Sequence, residues 1–138
     1  MATGFTGGCM CGAVRYECSA EQASFAAICY CTDCQRESGS AFTANMVVPS
    51  ASFKLIRGEL RYYERIAESG NKVRRGFCAD CGVSIVNHPE MLNDMAAIRV
   101  GSLDDTSAFK PVVNLYLSSA PEWAPISQDL PSFDRSSS

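Results

Sequence analysis

Apolar and polar residues alternate over short stretches of this chain, and that period of two predicts strands far more often than helices. Residues 14–18 alternate and are rich in β-formers, directly after a Gly7-Gly8 turn and Gly12. Residues 25–29 form a short apolar run, and residues 42–48 read as a strand stopped by Pro49. Residues 53–56 and 60–63 flank Arg57-Gly58-Glu59, a sequence suited to a hairpin turn. Strands over 73–77, 83–86, 96–100 and 112–117 complete the set. Helix signals are few. Residues 90–95 suit a single turn, whereas Thr32-Asp33-Cys34-Gln35 fits a capping box, with a hydroxyl at the N-cap and Gln three residues later. Gly39 is placed to end that helix. The expected fold class is mainly β, with antiparallel sheets and few short helices. One domain is expected over residues 1–138, ordered from about 4 to 134, with a disordered tail at Ser136-Ser137-Ser138.

Composition narrows the classes of function. With 138 residues, 46% of them hydrophobic and 20% charged, the chain suits one soluble globular domain. Net charge is −3 and no basic stripe occurs, so a nucleic-acid partner is not expected. No apolar run approaches the length of a membrane span. The start, Met1-Ala2-Thr3-Gly4-Phe5, lacks the pattern of a secretory leader, which makes the cytoplasm the expected location.

Eight cysteines change the picture, because seven of them fall into three clusters. In a reducing compartment, clustered cysteines bind metal more often than they form disulfides. Cys9-Met10-Cys11-Gly12 and Cys78-Ala79-Asp80-Cys81-Gly82 supply two sulfurs each, and the second has the zinc-knuckle pattern, in which Gly lets backbone N–H groups turn toward sulfur. Together they would make a closed, tetrahedral structural site. Cys29, Cys31 and Cys34 offer three sulfurs from one strand-to-helix turn, and Cys34 in the first helical turn gains thiolate character there. Three ligands leave a position open, which is the mark of catalytic zinc. Soft thiolates favour zinc, although ligand type alone leaves an iron–sulfur cluster or Cu(I) open. Cys18 lies within a strand and reads as a small buried hydrophobe rather than a fourth ligand.

Longer motifs carry a resemblance. The segments Gly7-Gly8-Cys9-Met10-Cys11-Gly12-Ala13-Val14-Arg15-Tyr16 and Cys29-Tyr30-Cys31-Thr32-Asp33-Cys34-Gln35-Arg36-Glu37-Ser38-Gly39-Ser40-Ala41-Phe42 belong to it. So do Arg75-Gly76-Phe77-Cys78-Ala79-Asp80-Cys81-Gly82, Val100-Gly101-Ser102-Leu103-Asp104-Asp105, Pro121-Glu122-Trp123 and Leu130-Pro131-Ser132-Phe133. In this order they resemble the glutathione-dependent formaldehyde-activating enzymes, a family also named for centromere protein V. The resemblance implies a β-tent-like fold and two Zn²⁺ per chain. It assigns structural zinc to Cys9, Cys11, Cys78 and Cys81, and catalytic zinc to Cys29, Cys31 and Cys34. The implied activity is that of a carbon–sulfur lyase resembling S-(hydroxymethyl)glutathione synthase, joining glutathione to formaldehyde. Tyr30 and Asn114 stand where many relatives carry His, and both are expected to face the substrate.

Three thiolates make zinc a weak acidifier of water but leave it able to take a thiol, which suits addition of that thiol to a small aldehyde. Arg36, Ser38 and Ser40 follow the three-cysteine turn and are candidates for holding a substrate carboxylate, as are Arg74 and Arg75. His88, the one histidine, precedes Pro89 in an expected loop and reads as incidental. Trp123 and Phe133 are expected to pack a C-terminal arm onto the sheet. Two other readings stand beside the lyase: a non-catalytic zinc scaffold for a protein partner, and a related enzyme acting on a non-glutathione substrate.

Overall fold

Ten strands and one α-helix follow one another in a computed structural model that describes residues 4–135. The serine tail lies outside the described residues. Strands β1 (Phe5–Gly8), β2 (Arg15–Cys18) and β5 (Phe53–Arg57) form a small sheet in the order β1-β2-β5. The large sheet contains β3 (Phe25–Cys29), β4 (Thr43–Pro49), β6 (Leu60–Ile66), β7 (Lys72–Cys78), β8 (Ser84–Pro89), β9 (Met95–Arg99) and β10 (Val113–Leu115). Its order is β10-β3-β4-β9-β8-β7-β6. Helix α1 (Thr32–Ser38) connects β3 to β4.

Strand alternation sorts the large sheet into two faces. One register row runs Ala26, Met46, Ile98, Val86, Gly76, Tyr62. From that face Met46, Val48, Val86, Ala96 and Ile98 pack against Val14, Tyr16 and Cys18 of the small-sheet region to form the core. A bulge at Gly76/Phe77 lets the consecutive residues Ile85 and Val86 both reach that core. On the other face lie the rows Leu115, Cys29, Thr43; Val113, Ala27, Asn45, Arg99; and Phe25, Val47, Ala97, Asn87, Arg75, Tyr63. This second face carries the chemistry.

The structure corrects three expectations and refines a fourth. Gly7 and Gly8 are not a turn but the end of β1. A Cβ at Gly7 would sit 2.3 Å from the Ser102 carbonyl oxygen and 2.4 Å from the Tyr16 hydroxyl, so glycine is required for close approach. Strands β5 and β6 are no hairpin: β5 pairs with β2 and β6 with β7, so the chain changes sheets at Gly58. Gly58 has φ +76°, and a Cβ there would press on the Ala13 carbonyl. The expected antiparallel pairing holds except at one edge of the large sheet, where β10 runs parallel to β3. Residues 90–94 form turns rather than a helical turn.

Candidate metal centres

Cys31, not Thr32, is the N-cap of α1: its sulfur accepts a hydrogen bond from the Cys34 N–H at 3.3 Å. A sulfur therefore does what the hydroxyl was expected to do, and the turn folds around the cysteines themselves. Gln35, expected to close the box, instead donates to the carbonyls of Tyr30 (2.8 Å) and Ser119 (2.9 Å). Gly39 does end the helix, in the left-handed conformation at φ +70°. This turn gathers the sulfurs of Cys29, Cys31 and Cys34 within 4.8 Å of one another. Among the described residues no further Cys, His, Asp or Glu joins that group, and all three cysteines line a cleft over the second sheet face.

The four-cysteine group draws on two places 67 residues apart in the chain. Sulfurs of Cys9, Cys11, Cys78 and Cys81 also lie within 4.8 Å of one another, at 3.6 Å for Cys9–Cys11 and 3.8 Å for Cys11–Cys78. A tetrahedron with Zn–S bonds of about 2.3 Å places its sulfurs roughly 3.8 Å apart, so this donor set fits zinc. Backbone N–H groups point at sulfur, from Val14 to Cys9 (3.2 Å) and from Asp80 to Cys78 (3.4 Å). Gly12 and Gly82, at φ +83° and +80°, supply the left-handed turns. Hydrogen bonds from the backbone at Val83 and Cys11 bring the Cys81 thiol down to about 6.

Crowded thiols do not ionise together without a cation. In the three-cysteine group, hydrogen bonds from Cys29 and Cys31, joined by the charge of Arg99, hold Cys34 well below an ordinary thiol. Hydrogen bonds with Cys31 and Cys34, together with burial, push Cys29 up. A divalent ion removes this conflict, and that chemistry also fits zinc. Cys18 belongs to neither group. It is buried in the core, 3.3 Å from the Ser52 hydroxyl.

Beside the three cysteines sits a charged network that the sequence reading missed. Arg99 is only 7% exposed, and Asn87 and Asn45 are buried near it. Arg99 Nε and Nη2 donate to Glu37 Oε1 and Oε2, each at 2.8 Å, while Arg75 and Ser84 also donate to Glu37. Asn87, its amide oxygen turned toward the guanidinium groups, accepts from Arg75 Nη1 at 3.1 Å and from Arg99 Nη2. Burial alone would raise the Glu37 carboxyl, but Arg99, Ser84 and Arg75 hold it below the ordinary glutamate value. One signal was available in the sequence: a lone arginine ending the otherwise apolar Met95–Arg99 run.

The remaining candidates scatter. Arg36 is exposed and borders a separate hollow with Asp33, Arg65 and Tyr63. Ser38 and Ser40 bond each other at 3.2 Å, and Ser40 donates to the Phe42 carbonyl at 3.0 Å, which finishes the helix end. Strand parity splits the arginine pair: Arg74 lies 3.7 Å over the Tyr62 ring, whereas Arg75 turns into the site. Asn114 does not line the cleft. It is fully buried on the opposite parity from Leu115, donating to the Ser127 carbonyl (3.0 Å) and the Ser132 hydroxyl (3.2 Å). Tyr30 is likewise buried, its hydroxyl donating to the Pro125 carbonyl at 3.2 Å. Both positions therefore hold the C-terminal arm rather than face the cleft. His88 is in β8, half-buried near Tyr62, and not in a loop; burial and the charge of Arg74 lower its pKa. Trp123 does not pack onto the sheet: it is 71% exposed.

Comparison with known proteins agrees with this architecture. A crystal structure of a Rhodobacter sphaeroides protein matches with a TM-score of 0.59 over 72% of this chain and 87% of that one. Sequence identity is 22%, so the likeness is one of fold. The model of the glutathione-dependent formaldehyde-activating enzyme family matches residues 4–119, a span that includes all seven clustered cysteines and both arms of the charged network. With most of its length so matched, this chain belongs to the glutathione-dependent formaldehyde-activating enzyme family.

Proposed function

We propose that the chain is a zinc-dependent carbon–sulfur lyase that adds a thiol such as glutathione to a small aldehyde such as formaldehyde, or reverses that addition. The three-cysteine group would hold the catalytic ion and the four-cysteine group the structural one, two Zn²⁺ per chain. One observation carries this reading: the three sulfurs stand at the wall of a cleft with no fourth protein ligand among the described residues. A scaffolding ion would need that fourth ligand.

Zinc bound there would supply a Lewis acid for the substrate sulfur. The chain's own residues do the rest. Arg99 and Arg75 place positive charge beside the cysteines, and Glu37 fixes both guanidinium groups so that neither reorients during the reaction. Apolar cleft walls exclude water from the carbonyl carbon, where sulfur attack forms the C–S bond and the thiol proton ends on the aldehyde oxygen. Ser38, Ser40, Arg36 and Asn114 take no direct part in this account, because each is engaged or placed elsewhere.

The test uses purified zinc-loaded protein. Cys34→Ser is expected to keep its far-ultraviolet dichroism and one zinc per chain while losing at least a hundredfold in glutathione-dependent formaldehyde turnover. Undiminished turnover would sink the assignment of chemistry to this cluster.

A further inference from the structure

The cleft beside the three cysteines is far more apolar than a formaldehyde site requires. Its free volume is about 170 Å³, and an apolar cavity of roughly 150 Å³ is enough to hold benzene. Formaldehyde has one carbon and no apolar substituent. Glutathione is polar, with charged carboxylate and ammonium groups at its two ends. Neither needs walls of the kind found here.

Those walls are built from the sheet itself. Phe25, Val47 and Ala97 follow one another across a single register row, and Val73 and Pro89 pair on the next. Met91 and Leu92 rise on the rim, 54% and 38% exposed, with no core contact to explain two large apolar side chains in water. A second, independent feature lies in the floor. Asn45 is 8% exposed and its Oδ1 is buried without a hydrogen-bond partner, while its Nδ2 is spent on Thr43 Oγ1 at 3.0 Å. An orphaned buried acceptor is costly, and a small side-chain shift that admits a ligand's donor would relieve it. Asn45 pairs with Ala27, two residues from Cys29, which puts that acceptor close to the reacting end of the cleft.

Resting on the lyase reading above, we propose that the aldehyde this protein processes carries an apolar alkyl or aryl group of about benzene size, seated against Val47, Ala97, Met91 and Leu92. The reaction is R–CHO plus R′–SH giving R–CH(OH)–SR′: a C–S bond forms, the carbonyl π bond is lost, and the sulfur proton moves to oxygen. The hydroxyl so formed is the donor that Asn45 Oδ1 lacks.

Two measurements on zinc-loaded protein test this separately from the lyase reading. In the first, fluorine NMR follows saturable binding of 4-fluorobenzyl alcohol, which needs no turnover. In the second, kcat/KM with glutathione is compared for benzaldehyde and formaldehyde. Wild type is expected to bind the alcohol and to favour benzaldehyde at least tenfold. Ala97→Phe, which fills the cleft, should weaken binding and lower the benzaldehyde-to-formaldehyde ratio at least tenfold. Should that core change disturb folding, the rim double variant Met91→Ser/Leu92→Ser should still lower both about fivefold. Formaldehyde turnover without alcohol binding or benzaldehyde preference would overturn the proposal and leave the lyase reading intact. Saturable, Ala97-sensitive binding without any thiol–aldehyde turnover would support the apolar cleft and overturn the lyase reading.

Discussion

Arg99 grips Glu37 through two hydrogen bonds of 2.8 Å, and this pair ties helix α1 to the middle of the large sheet beside the three cysteines. Arg99 is nearly inaccessible, so the cost of burying its charge is offset by the carboxylate that meets it. Breaking one partner of such a buried pair costs about 3–5 kcal/mol. The Glu37 carboxyl sits below its ordinary range, so its stabilising contribution is complete above the unfolded value of ~4.3 and is lost as pH falls through the folded value. Chemical unfolding of Glu37→Gln should therefore show a destabilisation of that order at pH 7, and a flatter stability curve than wild type below about pH 4.5. Identical acid limbs would separate Glu37 from the acid response.

Removing a ligand from the four-cysteine group should act on folding rather than on chemistry. Structural zinc contributes apparent binding energies of about 10–16 kcal/mol in small domains, which rivals the roughly 5–15 kcal/mol that holds a whole domain together. Cys78→Ser is expected to lose one zinc together with cooperative unfolding, read by metal content and circular dichroism. A folded Cys78→Ser protein with two zinc ions would refute the structural role.

Asn114 serves the C-terminal arm. Its backbone bonds Pro131 and Phe133 while its side chain holds Ser127 and Ser132. Asn114→Ala should cost about 1–3 kcal/mol, because two part-buried hydrogen bonds, each contributing about 0.5–1.5 kcal/mol, are lost. Limited proteolysis should then cut within residues 121–131 several times faster, with zinc content unchanged. An unchanged cleavage rate would mean that the arm is held by its other bonds alone.

Much of this protein was legible before any fold was known. Cysteine spacing is a local property, and a strand-to-helix turn of six residues brings Cys29, Cys31 and Cys34 together whatever the rest of the chain does. Short β-rich apolar runs likewise located β3, β4 and β7 almost to the residue. Even so, capping chemistry misled at one point. Cys31 and Thr32 are neighbours that can each cap, and only the demand for three convergent sulfurs selects Cys31.

What no local pattern contains is which strands become neighbours. The Arg57-Gly58-Glu59 turn looks like a hairpin in isolation, yet β5 and β6 join different sheets because β5 pairs back with the distant β2 while β6 pairs with the next strand, β7. That same non-local pairing brings Arg99 of β9, Arg75 of β7 and Glu37 of α1 to one place, and it turns Asn114 away from the cleft that Leu115 lines. Sequence alone determined the short cysteine clusters and the β character, since both rest on spacings of a few residues. Tertiary structure alone decided what surrounds the open cysteine site, since charge, burial and an apolar wall there come from six strands and a helix that meet only in the folded chain.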